Sequence, residues 1–237
     1  KHLEGIFSGS PLPALYEETL NLEVEIRFHH TQRLHEFVEK MLSNGQPKDA
    51  CTIAESIFRP DGRESDGLKL YVTRDLGVGK RYLLERYSEY PEARFGIVAS
   101  SRDKELKNWG VNNDFMSTQR LKLGPWFTEG DEDPKSCRIL DQSATEFGCQ
   151  GLELDMALLA WGTDFLRNDG AWTNHDAKRY RRQGRTEVKD PFQMRVNAYR
   201  VLLTRGRDGS IIFVPQLADL DETYDFFLQC GIRELNG

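Results

Sequence analysis

The chain has 237 residues, of which 38% are hydrophobic and 30% charged, and this balance excludes an extended disordered protein. Its formal net charge of −6 excludes nucleic-acid binding through overall charge, so any such binding must use a local basic patch. The longest apolar run, residues 156–161, is too short to cross a bilayer. We therefore expect a protein of the cytoplasm, or of the nucleus in a eukaryote, without a membrane partner.

The cysteines and histidines do not suggest a metal site. None of the four cysteines belongs to a Cys-x-x-Cys pair, which favours free thiols in a reducing compartment. His30 and His35 are five positions apart, a spacing that does not place two ligands on one helix face. We expect no bound metal. The sequence starts at Lys1 rather than at Met, and we interpret it as a piece of a longer polypeptide.

The first third of the chain predicts an N-terminal extension over residues 1–67. Residues 22–28 alternate apolar and charged side chains, which is a strand pattern. Residues 31–42 carry apolar side chains at helical spacing, and a second short helix is predicted over residues 48–58. Residues 60–67 are polar and rich in glycine, which predicts a loop.

From residue 68 onward, predicted strands and helices alternate. The strands are predicted at residues 68–73, 94–99, 154–161 and 210–215, and the helices at residues 76–90, 103–109, 190–205 and 221–230. Such alternation predicts an α/β fold with a parallel sheet covered by helices on both faces. This second domain, residues 68–237, includes a polar and basic insertion at residues 168–190.

A phosphate-binding loop is suggested at first sight by Gly77-Val78-Gly79-Lys80. The pattern G-x-x-x-x-G-K-[ST] fails, because Arg74 stands at the first glycine position and Arg81 replaces the Ser or Thr that would bind magnesium. Nor does any apolar strand end in an Asp-Glu pair. The segment is therefore predicted to be a turn before or within a helix, and the chain lacks a complete ATP site.

Four other segments are informative because of their order. They read LEVEIRF at residues 22–28, RFGIVASSRDKEL at 94–106, QGLELD at 150–155 and LLTRG at 202–206. In this order they resemble motifs IV, IVa, V and VI of superfamily 1 helicases of the UvrD/PcrA/Rep type. The resemblance is closer to the helicase-like domain related to the C-terminal region of Schlafen proteins, and it covers roughly residues 20–215.

This resemblance implies the second RecA-like lobe of a helicase, a member of the P-loop NTPase superfamily without its own P-loop. It implies that ATP and Mg²⁺ are bound mainly by a first RecA-like lobe, which is the partner of this lobe within the same polypeptide. DNA or RNA is the implied nucleic-acid partner. The chain on its own is then expected to be inactive.

The resemblance also assigns residue roles. Arg27 and Arg205 match arginines that reach the γ-phosphate, where a planar guanidinium stabilises the charge of the transferring group. Nucleotide contacts are implied for Gln150, Gly151 and Glu153. We expect both arginines on one rim of the sheet, facing a common cleft, with the Arg205 side chain exposed at the end of a helix.

A basic run lies within the insertion, near Trp172. Its members are Lys178, Arg179, Arg181, Arg182 and Arg185. They could contact a nucleic-acid backbone while Trp172 stacks on a base. The alternative is an exposed loop whose charge keeps it solvated, and the sequence leaves both interpretations open. The E-x-K sequence Glu187-Val188-Lys189 lies in a polar loop, which does not favour a nuclease.

The predicted function is therefore the motor lobe of an ATP-dependent DNA or RNA helicase or translocase. Two alternatives belong to other classes. One is a nucleic-acid sensor or regulatory ATPase that does not unwind its ligand, and the other is a degenerate scaffold for protein contacts. An intact phosphate-binding loop and an acidic pair in the partner lobe would favour an active ATPase over the scaffold.

Overall fold

The computed structural model describes residues 31–58, 67–178 and 190–237, which form an α/β fold around a six-stranded sheet. The strand order is β3-β2-β4-β7-β1-β8, and all neighbouring strands are parallel. The strands of the sheet are β1 (Lys69–Thr73), β2 (Phe95–Ala99), β3 (Ser143–Thr145), β4 (Leu154–Ala160), β7 (Gly206–Phe213) and β8 (Arg233–Glu234). A separate antiparallel hairpin is formed by β5 (Leu166–Asn168) and β6 (Ala171–Thr173).

Helices cover both faces of the sheet. The α-helices are α1 (Thr31–Leu42), α2 (Pro47–Phe58), α3 (Leu76–Arg86), α4 (Phe115–Arg120), α5 (Leu123–Thr128), α6 (Pro191–Leu203) and α7 (Asp221–Gln229). Short 3-10 helices occur at Leu106–Trp109, Cys137–Ile139 and Ala218–Leu220. Within the described ranges, every helix is too short or too polar to span a membrane.

The core consists of two apolar layers, one on each face of the sheet. Helices α1, α2, α6 and α7 contribute to one layer, and α3 contributes to the other. Strand β2 is buried along its whole length, and its residues alternate between the layers, with Ile97 on the α3 side and Val98 on the opposite side. Burial on both faces explains the continuous apolar strands of the sequence, and the predicted α/β architecture is confirmed.

The segment Gly77-Val78-Gly79-Lys80 lies in the first turns of α3, as predicted. Asp75 caps this helix, since its carboxylate accepts hydrogen bonds from the backbone N–H groups of Gly77 (2.7 Å) and Val78 (3.3 Å). A Cβ atom at Gly79 would lie only 2.8 Å from Leu158 Cδ1 of β4. The glycine therefore allows close packing of α3 on the sheet, and nothing in this arrangement forms a phosphate loop.

Trp172 corrects one sequence prediction. Its side chain is only 4% exposed, stacks on Phe165 with ring centroids 4.7 Å apart, and donates from Nε1 to Met41 O at 2.9 Å. The hairpin β5–β6 therefore inserts this indole into the core beside α1 and α7. The ring is enclosed by other side chains, so the structure argues against the interpretation in which Trp172 stacks on a base.

We expect Trp172→Ala to lower the free energy of unfolding by about 3–5 kcal/mol, because it removes a large buried ring and leaves a cavity. Urea denaturation followed by circular dichroism measures the change. Phe115→Ala is the matched control, since Phe115 is 70% exposed and its removal should change stability by less than about 0.5 kcal/mol. Similar midpoints for both variants would contradict the core position of Trp172.

Candidate functional site

The segments that resemble motifs V and VI meet at the edge where the strands begin, which we call the amino edge. Residues 150–153 lead directly into β4, and Arg205 directly precedes β7. These strands are neighbours, with Leu154 paired to Gly206, and the Leu154 N–H donates to Arg205 O at 2.9 Å. Two segments that are about 50 residues apart in the sequence thus form one local structure.

Arg205 holds this local structure together through three backbone carbonyl groups. Its Nε donates to Val201 O at 2.9 Å, and its Nη1 donates to Cys149 O and Leu152 O, both at 3.2 Å. The side chain is half-buried, and α6 ends at Leu203 rather than at Arg205. The prediction that the Arg205 side chain is exposed at the end of a helix is therefore wrong. Among the described residues, no acceptor binds Nη2, which is not fully enclosed and remains available at the surface.

The turn beside Arg205 presents polar groups to solvent. Gly151 adopts a left-handed conformation with φ of 81°, which favours glycine over other residues. Gln150, Gly151 and Glu153 are all exposed. Cys149 lies beneath them, and burial raises the pKa of its thiol to about 11, so the thiol stays protonated at neutral pH. The turn therefore offers an amide, a carboxylate and an exposed backbone beside a fixed guanidinium.

A cavity of about 770 Å³ opens at the same edge, on the α3 side of the sheet. Its polar lining includes an ion pair between Arg207 and Asp155, and the Tyr87 hydroxyl donates to Asp208 Oδ2 at 2.9 Å. The charged residues that line it are Arg86, Glu89, Glu92, Asp155, Arg207 and Asp208. Four carboxylates against two guanidinium groups make this cavity unsuitable for a phosphate.

Several predicted site residues lie outside the described ranges. These are Arg27, Arg179, Arg181, Arg182 and Arg185. The E-x-K segment from Glu187 to Lys189, which was not predicted to be a site, also lies outside them. The shared rim of Arg27 and Arg205 therefore stays a prediction. Lys178 is described, and it lies at the opposite end of the sheet, where its backbone N–H donates to Arg102 O at 2.9 Å. It is thus separated from the amino edge by the length of the strands.

A buried charged network, which was not predicted from the sequence, lies at the edge where the strands end, which we call the carboxyl edge. Arg195 of α6 is 1% exposed and lies between Asp164 and Glu146, which are 0% and 4% exposed. Its Nη1 is 3.1 Å from Asp164 Oδ2 and donates to Ser100 Oγ at 2.7 Å, while its Nη2 is 3.2 Å from Glu146 Oε1. Buried charges of this kind persist only when they are paired and hydrogen-bonded.

Hydrogen bonds extend the network through neighbouring loops. The Tyr199 hydroxyl donates to Asp164 Oδ1 at 2.6 Å and accepts from the Gly162 N–H at 3.1 Å, and Ser100 Oγ donates to Asp164 Oδ2. Burial raises the pKa of the Asp164 carboxyl, while the hydrogen bonds from Ser100 and Tyr199 act in the opposite direction. Burial, and then the neighbouring Asp164, raise the pKa of Tyr199, so its hydroxyl stays a donor.

Helix α6 connects the two edges of the sheet. Arg195 binds Glu146 near the carboxyl edge, and Arg205 binds the turn at residues 149–152 at the amino edge. Glu146 and this turn belong to the same connection between β3 and β4. Helix α6 and the short segment after it, which carries Arg205, therefore fix both ends of the connection between β3 and β4. The signal in the sequence was Arg195 and Tyr199 at helical i, i+4 spacing among apolar residues.

A six-stranded parallel sheet with helices on both faces is an α/β arrangement consistent with a RecA-like fold, and its motif V-like and motif VI-like segments lie side by side at one edge. Residues 9–216 match the family described as Schlafen group 3, DNA/RNA helicase domain, and the chain belongs to this family. The predicted relationship to the Schlafen-related helicase-like domain is thereby confirmed. No curated protein and no solved structure matches the chain.

Proposed function

We propose that the chain is the motor lobe of an ATP-dependent DNA or RNA helicase or translocase, and that it supplies Arg205 to an ATP site shared with a first RecA-like lobe. The observation that carries this proposal is the fixed Arg205 guanidinium, whose Nη2 stays available beside exposed Gln150, Gly151 and Glu153. Three carbonyl acceptors preorganise the group. A preorganised guanidinium stabilises the charge on a transferring phosphoryl group without reorganisation during the reaction.

The described residues support only the arginine side of such a site. Gly77 and Gly79 lie in helix α3, and Arg81 stands where a magnesium-binding hydroxyl would be needed. The β-phosphate and Mg²⁺ would therefore be held by the first lobe, and Arg27 would act as a second arginine from this lobe. The exposed Glu153 carboxylate would bind a ribose hydroxyl, and the Gln150 amide would face the nucleic-acid side of the nucleotide.

The chain alone is expected to hydrolyse no ATP, because its sequence contains no G-x-x-x-x-G-K-[ST] motif to cradle the β-phosphate and hold magnesium. Phosphate release by the purified 237-residue chain with ATP and Mg²⁺ should remain at the background rate. A polypeptide that carries both lobes is the positive control. Turnover by the chain alone that disappears in Arg205→Ala would mean that this lobe contains a complete site, and the shared-site proposal would fail.

Motor activity requires a second measurement, because a sensor or regulatory ATPase would also release phosphate. We expect the two-lobe polypeptide to displace a labelled strand from a partial duplex in the presence of ATP, and Arg205→Ala to abolish displacement. Closure of the cleft by ATP would move the lobes relative to each other and step the nucleic acid along. Nucleic-acid-stimulated hydrolysis without displacement or translocation would reject the motor and leave the regulatory ATPase.

A further inference from the structure

Three large apolar side chains are exposed near the carboxyl ends of β2 and β3. Phe115 and Met116 of α4 are 70% and 56% exposed, and Phe147, which follows β3, is 55% exposed. We call these residues the apolar surface. Helix α4 buries none of its residues, so Phe115 and Met116 do not contribute to the core. Clustered apolar side chains on a protein surface commonly mark an interaction site.

Several contacts hold the three residues in one region. Ser143 Oγ of β3 donates to Asn112 O at 2.9 Å, just before α4. After β3, a Cβ atom at Gly148 would lie 3.2 Å from the Leu123 side chain, which follows α4. The segments before and after α4 thus both pack against the β3 region, and this brings Phe115 and Phe147 to the same margin of the sheet.

The same margin carries an excess of positive charge. Residues 101–122 contain five basic and three acidic residues, in a chain whose net charge is −6. Lys178 joins them, because its backbone N–H donates to Arg102 O. A hydrogen bond from the Ser117 side chain lowers the pKa of the Asp114 carboxyl, and the positive charge of Lys178 acts weakly in the same direction. The acidic Asp103 is fully buried, where it binds Thr163.

We propose that the apolar surface, together with Lys178 and the exposed Arg120 and Lys122, binds single-stranded nucleic acid. Bases stack on Phe115 and Phe147, while the cationic groups contact phosphates. Both faces of a base are open to aromatic stacking only when the strand is unpaired, which favours a single strand over a duplex. This inference rests on the proposed function, since it assigns the nucleic-acid partner to a defined surface of the lobe.

Fluorescence anisotropy with labelled single-stranded DNA and RNA tests the proposal on the complete 237-residue chain. Phe115→Ala combined with Phe147→Ala should weaken binding at least about tenfold, since stacking contributes roughly 5- to 150-fold per base. Lys178→Gln should weaken binding of all sequences and reduce the salt dependence by about 0.7 in the logarithmic slope. Leu84→Ala combined with Tyr90→Ala is the matched control, because both residues are exposed and Tyr90 lines the cavity at the amino edge.

The binding results distinguish failure of this nucleic-acid-binding surface from failure of the proposed motor function. Unchanged affinity of the Phe115/Phe147 variant, while the wild-type chain binds single strands, would overturn the surface and leave the motor proposal standing. If the wild-type chain bound a duplex as tightly as a single strand, base stacking on this surface would be contradicted. The same conclusion would follow if the Leu84/Tyr90 variant lost as much affinity as the Phe115/Phe147 variant. Failure of the wild-type chain to bind either nucleic acid would overturn the surface as well, whereas the ATPase measurements on the two-lobe polypeptide would still decide the role of Arg205.

Discussion

Replacing Arg195 with alanine is expected to lower the free energy of unfolding by about 3–5 kcal/mol, because removing one partner leaves buried carboxylates without their counter-charge. Asp164 and Glu146 are almost completely buried, and Arg195 donates to both of them. This loss is a large fraction of the total stability of a typical domain, which is about 5–15 kcal/mol. Urea denaturation followed by circular dichroism measures it, provided that the transition is two-state.

Arg200→Ala is the matched control for this experiment. Arg200 belongs to the same helix and is the same residue type, but it is only partly buried, and no ion pair to it occurs within the described ranges. Its replacement should change the free energy of unfolding by less than about 0.5 kcal/mol. If Arg195→Ala were as stable as Arg200→Ala, the network would contribute nothing measurable. Combining Arg195→Met with Asp164→Asn should recover part of the loss, because fewer charges then stay unpaired.

The sheet and its covering helices could be predicted because their signal is local. Residues 95–99 and 156–161 are apolar runs, and such runs predict strands buried on both faces. The proximity of Arg205 to residues 149–152 was not predicted, although it has a similar basis. Each segment directly precedes a strand, and parallel neighbouring strands begin at one edge of the sheet.

The buried network and the position of Trp172 depend on partners that are distant in the sequence. Arg195 binds Ser100, which is 95 positions away, and Trp172 donates to Met41 O, which is 131 positions away. The residues around Trp172 in the sequence are polar, which predicted an exposed loop. In the structure, the β5–β6 hairpin places the Trp172 side chain in the core. The periodicity of one segment carries no information on such contacts, since they arise only when separate elements pack together.

Arg205→Ala is expected to reduce ATP turnover by about 10³-fold in a polypeptide that carries both lobes, as for other arginines that stabilise a transferring phosphoryl group. The loss should fall mainly on kcat and less on KM, because the developing charge is greatest in the transition state. Arg205→Lys should not restore activity. An ammonium group cannot reproduce the planar fork that binds Val201 O, Cys149 O and Leu152 O.

The structural role of Arg205 makes a stability measurement essential. Its removal leaves three carbonyl groups without their charged donor, and we expect it to cost about 1–3 kcal/mol in the free energy of unfolding. Turnover should therefore be compared at a temperature well below the melting transition of every variant. Under this condition, the fraction of unfolded protein is too small to account for a thousandfold loss in rate.

Arg207→Ala distinguishes a catalytic arginine from any arginine at this edge of the sheet. Arg207 lies two positions beyond Arg205, is exposed, and pairs with Asp155, so its removal should change turnover by less than about tenfold. If Arg205→Ala and Arg207→Ala had equal turnover at equal folded fraction, Arg205 would serve only to hold the turn at residues 149–152. A thousandfold difference between the two variants would instead locate the transition-state charge beside Arg205, since both substitutions remove one guanidinium from the same edge.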